Sequence, residues 1–283
     1  MGKSPVLLIA SGAQEIGKSY CSLEQSIFNA YVAPHKHRTL LFDSSNEYAS
    51  YEIAGTLHKI KPIAHNGITA YANQPQIEVR RIAPFTPNGA PLEPIETEKL
   101  VIRTLKEFRP PNGGTLVIED TSNIFGDSLP DSVTGALCTV RHRNSNCVLH
   151  IQSIGRITPK LRQNAKIIRY HYQLDGISDS KDKLGGEYEM FSIVEKLVNK
   201  QFYDGNKYFH VVIYRMVKKV QGKFSPRMFA DAIKEYIYEH PSSTSLLEKR
   251  RTPLGKKMYS YEEAVILKTH ELYKKYYGND LKL

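Results

Sequence analysis

The stretch PVLLIASGAQEIGKSYCSLEQS, residues 5–26, decides the fold. It opens as a short continuous apolar run of buried-strand type, turns through glycines, and continues with apolar residues at helical spacing. Between the two lies Gly12-Ala13-Gln14-Glu15-Ile16-Gly17-Lys18-Ser19, which fits G-x-x-x-x-G-K-[ST] with the strand before it and the helix after it that the pattern requires. Gly12 and Gly17 free the backbone to approach a phosphate, so that successive N–H groups and the helix N-terminus face it. Lys18 supplies a point charge to β- and γ-phosphates, Ser19 a hydroxyl to Mg²⁺, and Tyr20 opens the helix beside them. The ligand expected is a nucleoside triphosphate with Mg²⁺.

A phosphate cradle alone hydrolyses nothing; an acidic residue at the end of a second buried strand is needed. GGTLVIEDTSN, residues 113–123, supplies Glu119 and Asp120 as the first polar residues after an apolar β-branched run. We expect Glu119 on the metal side and Asp120 as the base, the bland alternative being a helix cap or solvated charge. HRTLLFDSSNEYASY, residues 37–51, reads as another strand ending in Asp43, with Glu47 and Tyr48 four and five residues on. Acidic residues at the carboxyl ends of strands point into the crevice where open α/β sheets bind ligands. NCVLHIQSIGRITP, residues 146–159, is a further strand whose first polar residues beyond it are Gln152 and Ser153; a Gln placed there can report on a γ-phosphate. Upstream, Arg141, His142 and Arg143 crowd the turn entering that strand, and either arginine is a candidate to serve a neighbouring subunit's triphosphate.

These stations, in this order, resemble the additional-strand P-loop ATPases and, within them, the HerA/FtsK superfamily. The resemblance rests on GAQEIGKS, on Asp43-x-x-x-Glu47-Tyr48, on LVIED, on RHR, and on Gln152 with Pro159, Asn164 and Ala165, and covers roughly residues 4–172. In many P-loop ATPases the acidic strand ends Asp-Glu; here the order is Glu-Asp, which leaves the division of roles between the two open. The resemblance implies a RecA-like core, ATP and Mg²⁺ as cofactors, and a homo-oligomeric ring of five or six subunits with nucleotide sites at subunit interfaces. It also implies ATP-driven movement of double-stranded DNA. The bare motor domain is most similar to the viral genome-packaging branch, which implies a capsid or portal protein as a further partner. A Zot-like assembly factor that spends the ATP cycle on protein partners is the alternative. A small-molecule kinase is disfavoured, because the polar strand ends suit a hydrolytic water.

The fold class expected is therefore α/β, a P-loop core with a mainly parallel sheet flanked by helices, plus a smaller basic α+β or helical C-terminal extension. We divide the chain into a core at 1–175, its continuation at 176–240 and a basic helical tail at 241–283. Residues 49–98 read as a long irregular connection containing a strand-like GITAYA and an EVRR that faces DNA or, the preferred reading, lies on a solvated edge; residues 176–190 read as a Gly-rich loop or hinge. NKYFHVVIYRMVKKVQGKFS reads as a strand pair turning at Gln-Gly, with Arg215, Lys218 and Lys219 near solvent, and Ser225-Pro226 as a helix start. Tyr273, Tyr276 and Tyr277 are expected to pack a helix.

Of the 283 residues, 39 are Lys or Arg and 29 Asp or Glu, a net charge of +10 that favours a phosphate-rich partner. Lys249, Arg250, Arg251, Lys256 and Lys257 form the densest cluster; backbone phosphates of DNA are its expected partner and a solvated face the plain alternative. The three cysteines, Cys21, Cys138 and Cys147, are read as small core residues, with no disulfide or zinc framework. No apolar run approaches the 18 or so residues of a membrane span, and MGKSPVLLIAS is too short in its apolar part for a signal peptide. The expectation is a soluble protein without membrane insertion, in the (host) cytoplasm or associated with a virion.

Overall fold

The computed structural model describes residues 5–53, 55–120, 124–125, 129–139 and 144–278, and the chain divides into two compact units, the first ending at Ile168 and the second starting at Arg169. In the first unit the elements run β1 (Leu7–Ser11), α1 (Lys18–Ile27), β2 (Arg38–Phe42), β3 (Ser50–Ile53), β4 (Thr56–Lys59), β5 (Lys61–Pro62), α2 (Ile68–Asn73), β6 (Val79–Ile82) and α3 (Pro94–Glu107). They continue with β7 (Gly114–Ile118), α4 (Asp131–Cys138), β8 (Ser145–Ile151), α5 (Pro159–Asn164) and β9 (Ala165–His171), within which the division falls.

The main sheet of this unit has the order β9-β1-β8-β7-β2-β6-β5, and each pair from β1 to β5 is parallel. This is the α/β, mainly parallel class expected. β2 and β7 are buried along their whole length, as strands covered on both faces must be. β8 lies between β1 and β7, so the strand leading to Gln152 is inserted between the strand before the Gly-rich turn and the acidic strand. Register then does the positioning. Ser11 pairs with Ile151, and Phe42 with Ile118, so Gly12, Gln152, Glu119 and Asp43 all emerge at the carboxyl edge of one sheet. α1 and the helical turn after it cover one face of the sheet: Leu23 and Ile27 of α1, and Ala30 beyond it, cluster with Leu41, Val79 and Val117.

Residues 49–98 are far more ordered than their composition suggests. The β3–β4 hairpin, β5, α2 and β6 fill most of them, and a bridge between Phe85 and Pro91 ties the Pro-rich loop. GITAYA is a helix, not a strand, because Ile68, Tyr71 and Ala72 bury one helical face and the buried Arg38 guanidinium donates to the carbonyls of Tyr71 and Gln74 at the helix end. The EVRR segment is not a solvated edge. Arg81 lies in β6 and pairs at 2.9 Å with the fully buried Asp43, while Glu78 is buried and holds Arg80 at 2.6 Å.

The second unit contains α6 (Tyr188–Tyr203), β10 (His210–Tyr214), β11 (Lys219–Gly222), α7 (Pro226–Glu239) and α8 (Tyr261–Tyr276). β10 and β11 are antiparallel, but the turn between them is at Arg215–Lys218, where Lys218 takes a left-handed φ of 50°, and not at Gln221-Gly222. Arg215 is not a solvent charge: its guanidinium grips Glu187 at 2.8 and 2.6 Å. Lys219 donates to the carbonyls of Lys274 and Lys275, which leaves Lys218 as the exposed member of the pair. The Gly-rich stretch from 176 to 190 is a succession of short helical turns leading into α6 rather than a loop, held by the Ile177 amide on Glu195 at 2.7 Å. Ser225 caps α7 and Ser260 forms a capping box with Glu263 at the start of α8. Tyr273 and Tyr276 are buried and Tyr277 packs against Phe224 and Phe229, as helix-packing residues should.

Among the cysteines only Cys147 is buried; Cys21 and Cys138 are half-exposed, and none is joined in a disulfide to a described residue. The small size that suits cysteine to a core applies equally to the half-covered faces of α1 and α4. Among the described residues no helix is long and apolar enough to cross a membrane.

The Asp43–Arg81 pair yields a stability test. Asp43 also accepts the amides of Glu47 and Tyr48, each at 3.0 Å, so Asp43→Ala takes the carboxylate from the partly buried Arg81 guanidinium, which keeps Asn46 as a partner, and the acceptor from two amides. Removal of one partner of a fully buried pair costs about 3–5 kcal/mol, which is an upper bound here because Arg81 is partly exposed and keeps Asn46. Urea unfolding is expected to show a loss below that bound for Asp43→Ala and a smaller one for Asp43→Asn, which keeps an acceptor oxygen.

Candidate functional site

The turn after β1 is built for a close backbone approach. Gly12 has φ 154°, Glu15 takes a left-handed 58°, and Gly17, at 84°, is the N-cap of α1. No side chain caps that helix and its first turn holds no acidic residue, so its leading N–H groups are kept for an anion. Ile16 is buried and anchors the turn, whereas Gln14 and Glu15 are exposed and Ala13 half-buried. The Lys18 ammonium lies over the turn, donating to the carbonyls of Gly12 and Ala13. Tyr20 is exposed and its ring leans on Tyr51.

Facing this turn is Glu119, just beyond β7 and 4% exposed. Its Oε2 accepts the Ser19 hydroxyl at 2.6 Å, the His150 Nδ1–H at 3.2 Å and, more weakly, the Tyr48 hydroxyl at 3.4 Å. Its Oε1 is buried without a hydrogen-bond partner among the described residues. Burial by itself pushes the Glu119 carboxyl up, but the His150 imidazole, by charge and hydrogen bond, the Ser19 hydroxyl and the Lys18 ammonium together hold it below the usual carboxylate range. Tyr48 is pushed the other way: burial, then the charge of Glu119, raises its hydroxyl well above the ordinary tyrosine value, so it remains a donor.

A serine hydroxyl beside an ionised carboxylate with one unpartnered oxygen is a hard-oxygen donor set of the kind Mg²⁺ takes, together with phosphate oxygens. The residues fit the ion. Asp120 takes a left-handed φ of 35°, which turns the chain out of the strand direction, and its half-buried carboxylate makes no hydrogen bond or ion pair with a described residue. Gln152 follows β8 directly and is half-buried, one step from the Gly12 amide bonded to the Ile151 carbonyl at 3.1 Å. Of the expected residues, the structure thus gathers Gly12–Ser19, Glu119 and Gln152 along one edge. Asp43 is there too, but its carboxylate is spent on Arg81 and the loop amides. Arg141 and Arg143 lie outside the described residues. Lys249, Arg250, Arg251, Lys256 and Lys257 belong to the second unit, where all five are exposed on a loop closed by a bridge between Arg251 and Lys257.

Two participants escape a reading of the sequence: His150, 1% exposed, and Ser22, whose hydroxyl meets His150 Nε2 at 2.7 Å. A signal exists. His150 is the one strongly polar side chain near the end of the apolar run NCVLHI, and it stands two residues before Gln152, so strand alternation puts both toward one face.

The depressed Glu119 acidity has a sign that can be checked. A carboxyl whose folded-state pKa is lowered stabilises the fold above its unfolded value, near 4.3, and that contribution is lost as pH falls through the folded value. Stability measured by denaturant titration from pH 7 downward should therefore fall more gently below about pH 4.3 in Glu119→Gln than in the wild type.

No protein-family model and no curated protein matches the chain. Among solved structures it is similar to the genome packaging NTPase B204 of Sulfolobus turreted icosahedral virus 2 in complex with ATP-gammaS, with 16% identity, a TM-score of 0.48, and coverage of 78% of this chain and 97% of that one. The DNA-packaging ATPase of Sulfolobus turreted icosahedral virus is similar at 14% identity and a TM-score of 0.48, over 77% of this chain and 97% of that one.

Proposed function

We propose that this chain is an ATP-hydrolysing motor that assembles as a homo-oligomeric ring and translocates double-stranded DNA, with genome packaging into a capsid as its setting. The observation that carries the nucleotide part is the 2.6 Å contact between Ser19, at the start of an uncapped helix after the Gly-rich turn, and the buried Glu119. Lys18 exchanges the carbonyls of Gly12 and Ala13 for β- and γ-phosphate oxygens when nucleotide binds. Ser19 and Glu119 would hold Mg²⁺, which would supply positive charge to offset that of the phosphate oxygens. Asp120, released from the strand direction by its left-handed backbone, accepts a proton from the attacking water, and Gln152 orients that water or the γ-phosphate. Arg141 or Arg143 reaches the triphosphate of a neighbouring subunit. The exposed loop of Lys249, Arg250, Arg251, Lys256 and Lys257 contacts DNA phosphates without reading sequence, as suits a motor that must pass every sequence.

Lys18→Ala should abolish tight nucleotide binding, whereas Asp120→Asn should bind and not hydrolyse. Phosphate release should rise on adding duplex DNA and the rise should fade with salt. Replacing the five loop cations with Gln should lower the log–log salt slope of DNA affinity by roughly one for each phosphate no longer neutralised. DNA-independent hydrolysis that rises only with a protein partner would instead favour the assembly-factor alternative. An arginine-less variant mixed with Lys18→Ala should recover part of the activity if the site is shared between subunits.

A further inference from the structure

The buried histidine next to Glu119 is unused by the reaction outlined above. Its ring touches a polar group at each edge: Nδ1 lies 3.2 Å from Glu119 Oε2 and Nε2 lies 2.7 Å from Ser22 Oγ. An ionised carboxylate only accepts, so Nδ1 carries a proton toward Glu119, while Nε2 shares its hydrogen bond with the Ser22 hydroxyl. Ser22 stands three residues after Ser19 on α1, hence on the same helical face. Helix α1 therefore reaches Glu119 twice, directly through Ser19 at 2.6 Å and indirectly through Ser22 and His150. All three donors converge on Oε2, and Oε1 is left without a partner among the described residues.

We propose that His150 is a positioning residue that fixes the Glu119 carboxylate, with Oε2 tied back and Oε1 presented for the metal ion, and that Ser22 fixes His150 in turn. The inference rests on the reading of Ser19 and Glu119 as the Mg²⁺–nucleotide site. Three features make His150 the controlling member. Its ring is rigid and 1% exposed, so it has no water to exchange with. It sits on β8, hydrogen-bonded along its length to both β1 and β7, so its position is set by the sheet. The other anchors are less constrained, Ser19 being a residue of the cradle itself and Tyr48 a longer, 3.4 Å contact from a loop. Groups that orient a metal ligand through its second oxygen typically change metal affinity 10–100-fold when removed.

The two edges of the ring can be tested separately. In His150→Asn the amide nitrogen lies near the place of Nδ1 and keeps the bond to Glu119; in His150→Gln it lies near the place of Nε2 and keeps only the bond to Ser22. Binding of a fluorescent, non-hydrolysable ATP analogue is measured in EDTA and across a Mg²⁺ titration, with thermal unfolding recorded to confirm folded protein. The metal-free affinity should be the same in all variants. The Mg²⁺ concentration at half effect should rise at least about tenfold in His150→Gln, stay near wild type in His150→Asn, and rise a few-fold in Ser22→Ala. Equal behaviour of the Asn and Gln variants, or an unchanged Mg²⁺ requirement in both, overturns the positioning role while leaving the nucleotide site intact. A wild-type protein whose nucleotide binding is indifferent to Mg²⁺ overturns the site reading as well, and the two failures are thereby told apart.

Discussion

The Glu119 carboxylate is the point on which the rest of the site depends. It is a buried negative charge, which persists in a protein interior only when donors and opposite charge surround it. Here the donors come from three separate parts of the sheet edge: Ser19 on α1, His150 on β8 and Tyr48 after β2. Only a parallel sheet with β8 between β1 and β7 brings those segments together, because the register Ser11 with Ile151 and Ile118 with Leu149 aligns the carboxyl ends of three strands. The charge thus requires the strand order, and the strand order places the Gly-rich turn opposite the charge.

The same dependence explains why Asp43 is structural. It lies one strand over from Glu119 in the same row, but Arg81 on β6 neutralises it and the loop amides of Glu47 and Tyr48 donate to both of its oxygens. By setting that loop, Asp43 also sets Tyr48, whose hydroxyl returns to Glu119. Two acidic strand ends that look alike in sequence therefore divide their work: one shapes the wall of the crevice, the other keeps an oxygen available within it.

Much of this is legible in the sequence where local chemistry dominates. The Gly12–Ser19 turn, the apolar strands before Asp43 and Glu119, and the Ser225-Pro226 helix start are each specified by residues within a few positions of one another. What is not legible depends on partners distant in sequence. Ile68–Asn73 is helical because its buried face and the Arg38 cap select the helix over the strand propensity of Ile, Thr and Tyr. The turn at Arg215–Lys218 prevails over Gln-Gly because Glu187, nearly thirty residues upstream, fixes Arg215. His150 is marked in the sequence only as a polar residue near the end of an apolar run, and its role becomes visible once Glu119 and Ser22 are seen on either side of it.

The central claim, that the Gly12–Ser19 turn and Glu119 together hold a Mg²⁺–nucleotide, is tested most directly by amide hydrogen exchange on the full chain with and without ATPγS and Mg²⁺. The account predicts slowed exchange at residues 12–19 and around Glu119 only when nucleotide and metal are both present, with β10 and β11 unchanged. Unaltered exchange at both places under saturating nucleotide, or protection confined to other parts of the chain, would contradict it.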